Sequence, residues 1–346
     1  MLLTSNSIHA ASLLPAIEEL ITRGIPQELI EGLLRRNLCD LRTPFMRIPL
    51  FLSRQFWDFA LAKTGDSMLG LPAGIRFVST SSNGLTYLFD VATSIEKSCE
   101  YLTNYFPFFN GHFQPIIRRN ENFVELQLHD CGMLRATPPM RDYAVASICK
   151  MLRRKCYASS LSEDPILAVG LTNARPPSSL VYENHFHTSV EWCQQLDTIS
   201  LNQKIFSKAV TPSNAKLEKT LIALLDETRQ NSEPTLLELV SDHIINDLDS
   251  ANWQSFCDSS YLLERTATRR LKALGWSFSE LLDEYRRYRA LDLLHSSDHS
   301  LVDIACQLGY RDVQSLNRAS LRWFGSTPGL FRLNSEKRVE YTAVMP

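Results

Sequence analysis

The stretch 300–332, SLVDIACQLGYRDVQSLNRASLRWFGSTPGLFR, narrows the choice of fold more than any other part of the chain. Ser300 and Asp303 have the Ser-x-x-Asp spacing of a reciprocal cap, so a helix is predicted from Leu301. Leu301, Ile304, Ala305 and Leu308 recur at three- and four-residue intervals and give that helix one apolar stripe. Gly309 offers the positive φ of a tight turn at little cost. A second helix is predicted from about Asp312, whose carboxylate caps free amides and suits the positive end of the dipole. Leu316, Ala319 and Trp323 face inward on it, while Gln314, Asn317 and Arg318 point outward. Ala305 is small enough to let the two helices cross closely. Such a pair is a helix-turn-helix, whose second helix can enter the major groove of DNA; the same corner also serves as plain scaffolding.

A companion unit precedes it. The segment 235–247 is amphipathic, with Leu236, Leu239, Val240 and Ile244 on one side. Trp253, Phe256 and Cys257 are inward on a short helix, and 264–274 forms the next, with Arg265, Thr268 and Arg269 outward. Ser277 and Glu280 make another capping pair. The helix they open, 278–294, carries Leu281, Leu282, Tyr285, Leu293 and Leu294 as apolar positions and joins the two units. A connector of about 16 residues spans roughly 24 Å. Reading helices held apart by it can reach successive major grooves on one face of a duplex, which recur every ~34 Å. Residues 261–290 hold seven basic against four acidic side chains, and 301–340 six against four. These small excesses fit a solvated helix face as well as the neutralisation of a few phosphates.

The first two hundred residues read differently. Helical patterns over 1–40 break at Gly24-Ile25-Pro26, and another helix is predicted over 50–63. Beyond GDSMLGL lie short strand candidates such as FVS, LTYLF and ENFVELQL, with a helical pattern over 95–106 between them. Residues 141–156 form a helix with a basic end, KMLRRK, and LAVGL at 167–171 and the region 180–192 are read as strands. Helices mixed with strands in no βαβ repeat predict an α+β domain over 1–210. A linker helix and break follow over 211–233, then an all-α domain of two helix-turn-helix units and a connecting helix over 234–346.

At 346 residues the chain can form two or three domains, and its net charge of −2 confines any nucleic-acid face to a local patch. No run of 18 apolar residues is present to span a membrane, and the first 20 residues lack the basic start of a secretory signal. The eight cysteines have no paired spacing, so buried reduced thiols in a cytosolic compartment are expected rather than disulfides or zinc.

The segment LLDEYRRYRALDLLHSSDHSLVDIACQLGYRDVQSLNRASLRWFGSTPGLFR resembles the DNA-binding domain of the AraC/XylS transcriptional regulators. The matching positions are Arg286, Ala290, Leu293-Leu294, Ile304-Ala305, Gly309-Tyr310, Arg318, Gly325, Thr327-Pro328 and Phe331-Arg332. Gly65-Asp66, Leu69-Gly70-Leu71 and the 94–105 helix are similar to the arabinose-binding-type sensor domain of longer members. The resemblance implies a cytoplasmic bacterial regulator that binds promoter DNA and contacts RNA polymerase. By position it implies base-facing Arg265, Thr268 and Arg269 in the first unit, and Val313, Gln314, Asn317 and Arg318 in the second. Arg suits guanine, Gln suits adenine and Val suits a thymine methyl. The chain departs from the pattern at Tyr261 and Leu263, where a turn glycine and a capping serine are usual, and at Ser320, where an aromatic is usual.

No cofactor, metal or catalytic site is expected. His185 and His187 have no third ligand nearby in sequence, and no Gly-rich phosphate loop or Gly-x-Ser-x-Gly occurs. Tyr101, Tyr105, Phe106, Phe108, Phe109 and Phe113 are candidates for an apolar effector pocket, although aromatics in such a cluster are more often core. The leading expectation is a regulator controlled by a small-molecule effector, with a second copy of the chain among its candidate partners. The alternative is a dimerising interaction protein with a weakened DNA-binding half that acts through protein partners; a DNA-modifying enzyme lacks the reactive cluster it needs.

Overall fold

The computed structural model describes residues 6–78, 84–131, 134–157, 163–210, 212, 214–231, 233–296 and 299–333. Its contacts divide into two compact units, one of residues 1–132 and 136–233, the other of 133–135 and 234–346.

The first unit opens with β1 (Ser7–His9), α1 (Leu14–Thr22), α2 (Gln27–Leu34), α3 (Leu38–Leu41) and β2 (Arg47–Pro49). β1 and β2 pair antiparallel, Ser7 opposite Pro49. Then come α4 (Leu50–Thr64), α5 (Gly70–Arg76), α6 (Leu85–Val91), α7 (Ile95–Phe109), β3 (Phe113–Arg119), β4 (Phe123–Asp130) and α8 (Pro138–Tyr157). The unit ends with β5 (Ile166–Gly170), α9 (Ser179–Phe186), β6 (Ser189–Glu191), β7 (Asp197–Asn202), α10 (Gln203–Phe206) and α11 (Ala215–Asn231). Five strands form one sheet in the order β3-β4-β7-β5-β6, antiparallel except for the β5–β6 pair. The expected α+β class is thus observed.

The second glycine of GDSMLGL, Gly70, is required by helix packing, as is Gly74 one turn further on. A Cβ on Gly70 would lie 2.1 Å from the Pro139 carbonyl oxygen, and one on Gly74 2.4 Å from the Ala146 Cβ. Only glycine lets α5 approach α8 this closely. The basic end of α8 is consumed internally. Lys150 donates to the carbonyls of Ile75 and Phe77, Arg153 pairs with Asp164, Arg154 with Asp90, and Lys155 donates to the carbonyls of Asp90 and Ala92.

Several expectations are corrected here. LTYLF lies in α6, a helix, and FVS at 77–79 forms no strand over its described residues. Residues 179–186 form helix α9, and only Ser189–Glu191 of that region is a strand. Leu180 and Val181 are 67 % and 45 % exposed, so the apolar run there is not an alternating buried face. His185 therefore lies in a helix and His187 at its left-handed end, φ +49, rather than on one strand face. All eight cysteines are free, but Cys39, Cys193 and Cys306 are exposed rather than buried.

Among the described residues the second unit holds helices and no strand: α12 (Leu236–Asn246), α13 (Trp253–Ser259), α14 (Glu264–Ala273), α15 (Phe278–Ser296), α16 (Leu301–Gln307) and α17 (Val313–Phe324). Thr235 and Glu238 cap α12 reciprocally. Its buried stripe is Leu237, Val240, Ser241 and Ile244; Leu239 is exposed, one helical step off the expected face. Tyr285 and Tyr288 of α15 are fully buried at the centre of this unit.

Candidate nucleic-acid interface

In the first helix pair the Asn252 side chain caps α13 by accepting from the Ser255 amide at 2.9 Å. Phe256 and Cys257 are buried, and Trp253 stacks on Phe256 at 5.2 Å between ring centroids. The chain then turns through Tyr261 in the left-handed region, φ +54. Leu263 holds the N-cap position before α14 and makes no side-chain cap bond. Ala267 and Leu271 anchor α14 inward, and the opposite face, 265, 268, 269 and 272, follows the helical repeat. Arg265, Arg269 and Lys272 on that face are exposed, and neither arginine forms an ion pair with the described residues. Thr268 is half-buried, and its hydroxyl accepts from the Trp253 indole at 3.1 Å. That residue is tied to the scaffold as well as turned toward the outer face.

The second pair follows its sequence signals closely. Ser300 and Asp303 form the reciprocal cap of α16, with the Asp303 amide donating to Ser300 Oγ at 3.1 Å. Ile304, Ala305 and Leu308 are buried, and Gly309 turns the chain at φ +70. Asp312 Oδ1 accepts from the Ser315 amide at 2.7 Å, and that backbone bond holds its carboxyl below the usual range. α17 buries Leu316, Ala319 and Ser320 and exposes Gln314 and Arg318, with Val313 and Asn317 half-exposed beside them. Arg318 donates to Ser315 Oγ at 3.0 Å, one turn back. The Ser320 hydroxyl donates to the Ser326 carbonyl at 2.8 Å, so the serine that departs from the family's usual aromatic is satisfied by a hydrogen bond. Phe324 and Phe331 pack nearby with their centroids 4.7 Å apart.

Two residues of α15 set the position of the second pair. Asp283 accepts from the Trp323 indole at 3.0 Å and pairs with Arg322, which pins the far end of α17 to the connecting helix. The Arg286 guanidinium lies 5.0 Å from the Tyr310 ring centroid and donates to the Gly309 carbonyl at 3.4 Å. Asp283 was not singled out by sequence; the available signal was a half-inward tryptophan, whose indole N–H needs an acceptor.

In the first unit the aromatic candidates separate. Tyr101 and Tyr105 donate to Glu218 and Asp226 of α11. Burial, then the Asp226 carboxylate, push the Tyr105 phenol up to about 12, so it remains a donor. Phe106 and Phe109 line a largely apolar cavity of about 50 Å³ with Leu102, Tyr143 and Met151. Phe113 is core, and Phe108 lies under the Arg47 guanidinium. The described residues hold no group of three potential metal ligands and no helix long and apolar enough to cross a membrane.

Residues 37–210 match the model of the arabinose-binding domain of AraC transcription regulator, N-terminal, and residues 257–334 match a helix-turn-helix domain. The chain belongs to the AraC family of transcriptional regulators. It is 21 % identical to the Ornithine utilization regulator of Pseudomonas aeruginosa over 94 % of this chain and 95 % of that protein. It is 37 % identical to the HTH-type transcriptional regulator VirS of Mycobacterium tuberculosis over 23 % of each chain. The crystal structure of the transcriptional regulator CdpR from Pseudomonas aeruginosa aligns over 93 % of this chain and 98 % of that one, at 18 % identity and a TM-score of 0.43. As an AraC-type protein, the chain is a sequence-specific DNA-binding transcriptional regulator.

Proposed function

We propose that α14 and α17 are the reading helices of this regulator, with Arg265, Thr268 and Arg269 facing one half-site and Val313, Gln314, Asn317 and Arg318 the next. The observation that carries this is the split of α17, whose outer face presents Gln314 and Arg318 to solvent while Leu316 and Ala319 hold the inner face. Arg318 fits guanine O6 and N7, Gln314 an adenine edge, and Val313 a thymine methyl. Arg265 and Arg269 add charge for phosphate or guanine, and the Thr268 hydroxyl keeps its proton free for an acceptor while it receives the Trp253 bond.

The protein acts in the bacterial cytoplasm on promoter DNA, together with RNA polymerase, and performs no catalysis. A small-molecule effector acts through the first unit; to enter the aromatic-lined cavity there, whose 50 Å³ is far below the ~300 Å³ of an ordinary ligand site, it must widen that cavity. Such an effector works only by binding one arrangement of the protein better than another. The outer side of α11 supports a homodimer: Leu217 and Leu224 stand one heptad apart, 41 % and 47 % exposed. The alternative of a decayed DNA-binding half is disfavoured by the complete caps of α16 and α17 and by the bond that satisfies Ser320.

Binding of the full chain to its promoter, titrated against salt, tests the reading. A steep salt dependence is expected, and Arg318→Ala is expected to lose about 1–3 kcal/mol with relaxed preference at one base. Affinity that ignores both salt and Arg318 refutes it.

A further inference from the structure

Tyr261 and Leu263 are 96 % and 79 % exposed and stand two positions apart where α14 begins. Neither side chain strengthens the folded unit. Tyr261 holds a left-handed backbone that glycine would adopt freely, and Leu263 occupies a cap position without the oxygen that a cap uses. Two bulky apolar groups thus sit in water beside Arg265, Arg269 and Lys272, the exposed cationic row of the same helix.

That row favours an anionic partner, and side chains at the start of a reading helix are the ones that reach base edges. In the major groove an aliphatic side chain has one distinctive counterpart, the C5-methyl of thymine. A phenol hydroxyl can donate to a phosphate oxygen. Two side chains are far too little for a protein-docking face, which needs about 800 Å² on each partner.

We infer that Leu263 reads a thymine methyl in the half-site of α14, and that Tyr261 bonds the adjoining backbone phosphate. This rests on the DNA reading above. It also reverses the sense of the two departures from the family pattern: the first helix pair trades local backbone comfort for an added contact instead of losing its role.

The test uses the full-length chain and duplexes that it selects from a randomised pool. The selected duplex is remade with deoxyuridine in place of each thymine in turn. At one position in the half-site of α14, loss of the methyl is expected to weaken wild-type binding about fourfold, the effect of one buried methyl. Leu263→Ser and Leu263→Ala are expected to be indifferent to that methyl. Tyr261→Gly is expected to bind about threefold more weakly at every sequence with its base preferences intact, as for a lost phosphate contact. Thermal unfolding at or above the wild-type midpoint for Leu263→Ser and Tyr261→Gly establishes that both fold.

Wild-type binding that ignores every thymine methyl in that half-site overturns the inference. So does a Leu263→Ala variant that keeps the wild-type methyl response. Variants that alter transcription by RNA polymerase but leave the selected sequence and affinity unchanged overturn it in favour of a protein contact. A wild-type chain that enriches no sequence at all brings down the DNA reading itself, and this inference with it.

Discussion

The turns at 260–263 and 308–312 close on matching backbone bonds but carry contrasting side chains. Leu262 donates to the Cys257 carbonyl at 3.0 Å in the first, and Tyr310 to the Ala305 carbonyl at 2.9 Å in the second. Tyr261 and Gly309 hold corresponding left-handed positions, φ +54 and +70. The surroundings explain why one is tyrosine and the other glycine. A Cβ on Gly309 would lie 2.3 Å from the Asp249 carbonyl oxygen and 2.7 Å from Arg286 Nη2, whereas the Tyr261 side chain projects into solvent. Glycine at 309 is demanded by packing as well as by φ; at 261 only the φ preference speaks for it. A left-handed L residue is disfavoured by only about 1–2 kcal/mol, which a packed unit can absorb.

This contrast can be broken by substitution. The largest effect is expected from Gly309→Ala, which adds a clash with backbone to the φ penalty and should destabilise the C-terminal unit by about 3 kcal/mol in denaturant unfolding. A loss below 1 kcal/mol would mean that Asp249 moves aside and that the two turns are equivalent after all. Next, Asp283→Ala strips the acceptor from the Trp323 indole and the partner from Arg322. It should lower stability by about 2 kcal/mol and weaken protection of the α17 half-site in footprints while sparing that of α14. Tyr261→Gly should raise the midpoint by about 1 kcal/mol of added stability; a decrease would show that the exposed ring packs in solution. Smallest is Ser320→Ala, which removes the bond to Ser326 and should lower stability by about 1 kcal/mol in the same assay.

The contrast also marks what the sequence could disclose. The second helix pair was legible because its signals are local: Ser300 with Asp303, Gly309, and Asp312 each act within a few residues. The cap formed by Ser277 and Glu280 was legible for the same reason, and its bond is made at 2.7 Å. Tyr261 and Leu263 were visible only as departures from a pattern, and what they cost depends on neighbours that periodicity does not report. In the first unit, β1 and β2 are three residues each and pair across some 40 positions, too short and too distant for any alternation to reveal. α9 misled because its apolar residues Leu180 and Val181 face solvent, so neither a strand nor a helix period stands out. Of the outward residues, Thr268 is the one whose surroundings qualify its role, because the Trp253 bond that half-buries it spans 15 positions.

The central claim is that both helix pairs read DNA, and footprinting of a selected promoter with Arg269→Ala and Arg318→Ala tests it most directly. The expected result is two protected half-sites about 34 Å apart on one face of the duplex, with each variant losing protection at its own half-site and keeping the other. A single protected half-site that responds to Arg318 alone, or protection that neither substitution alters, would contradict the account.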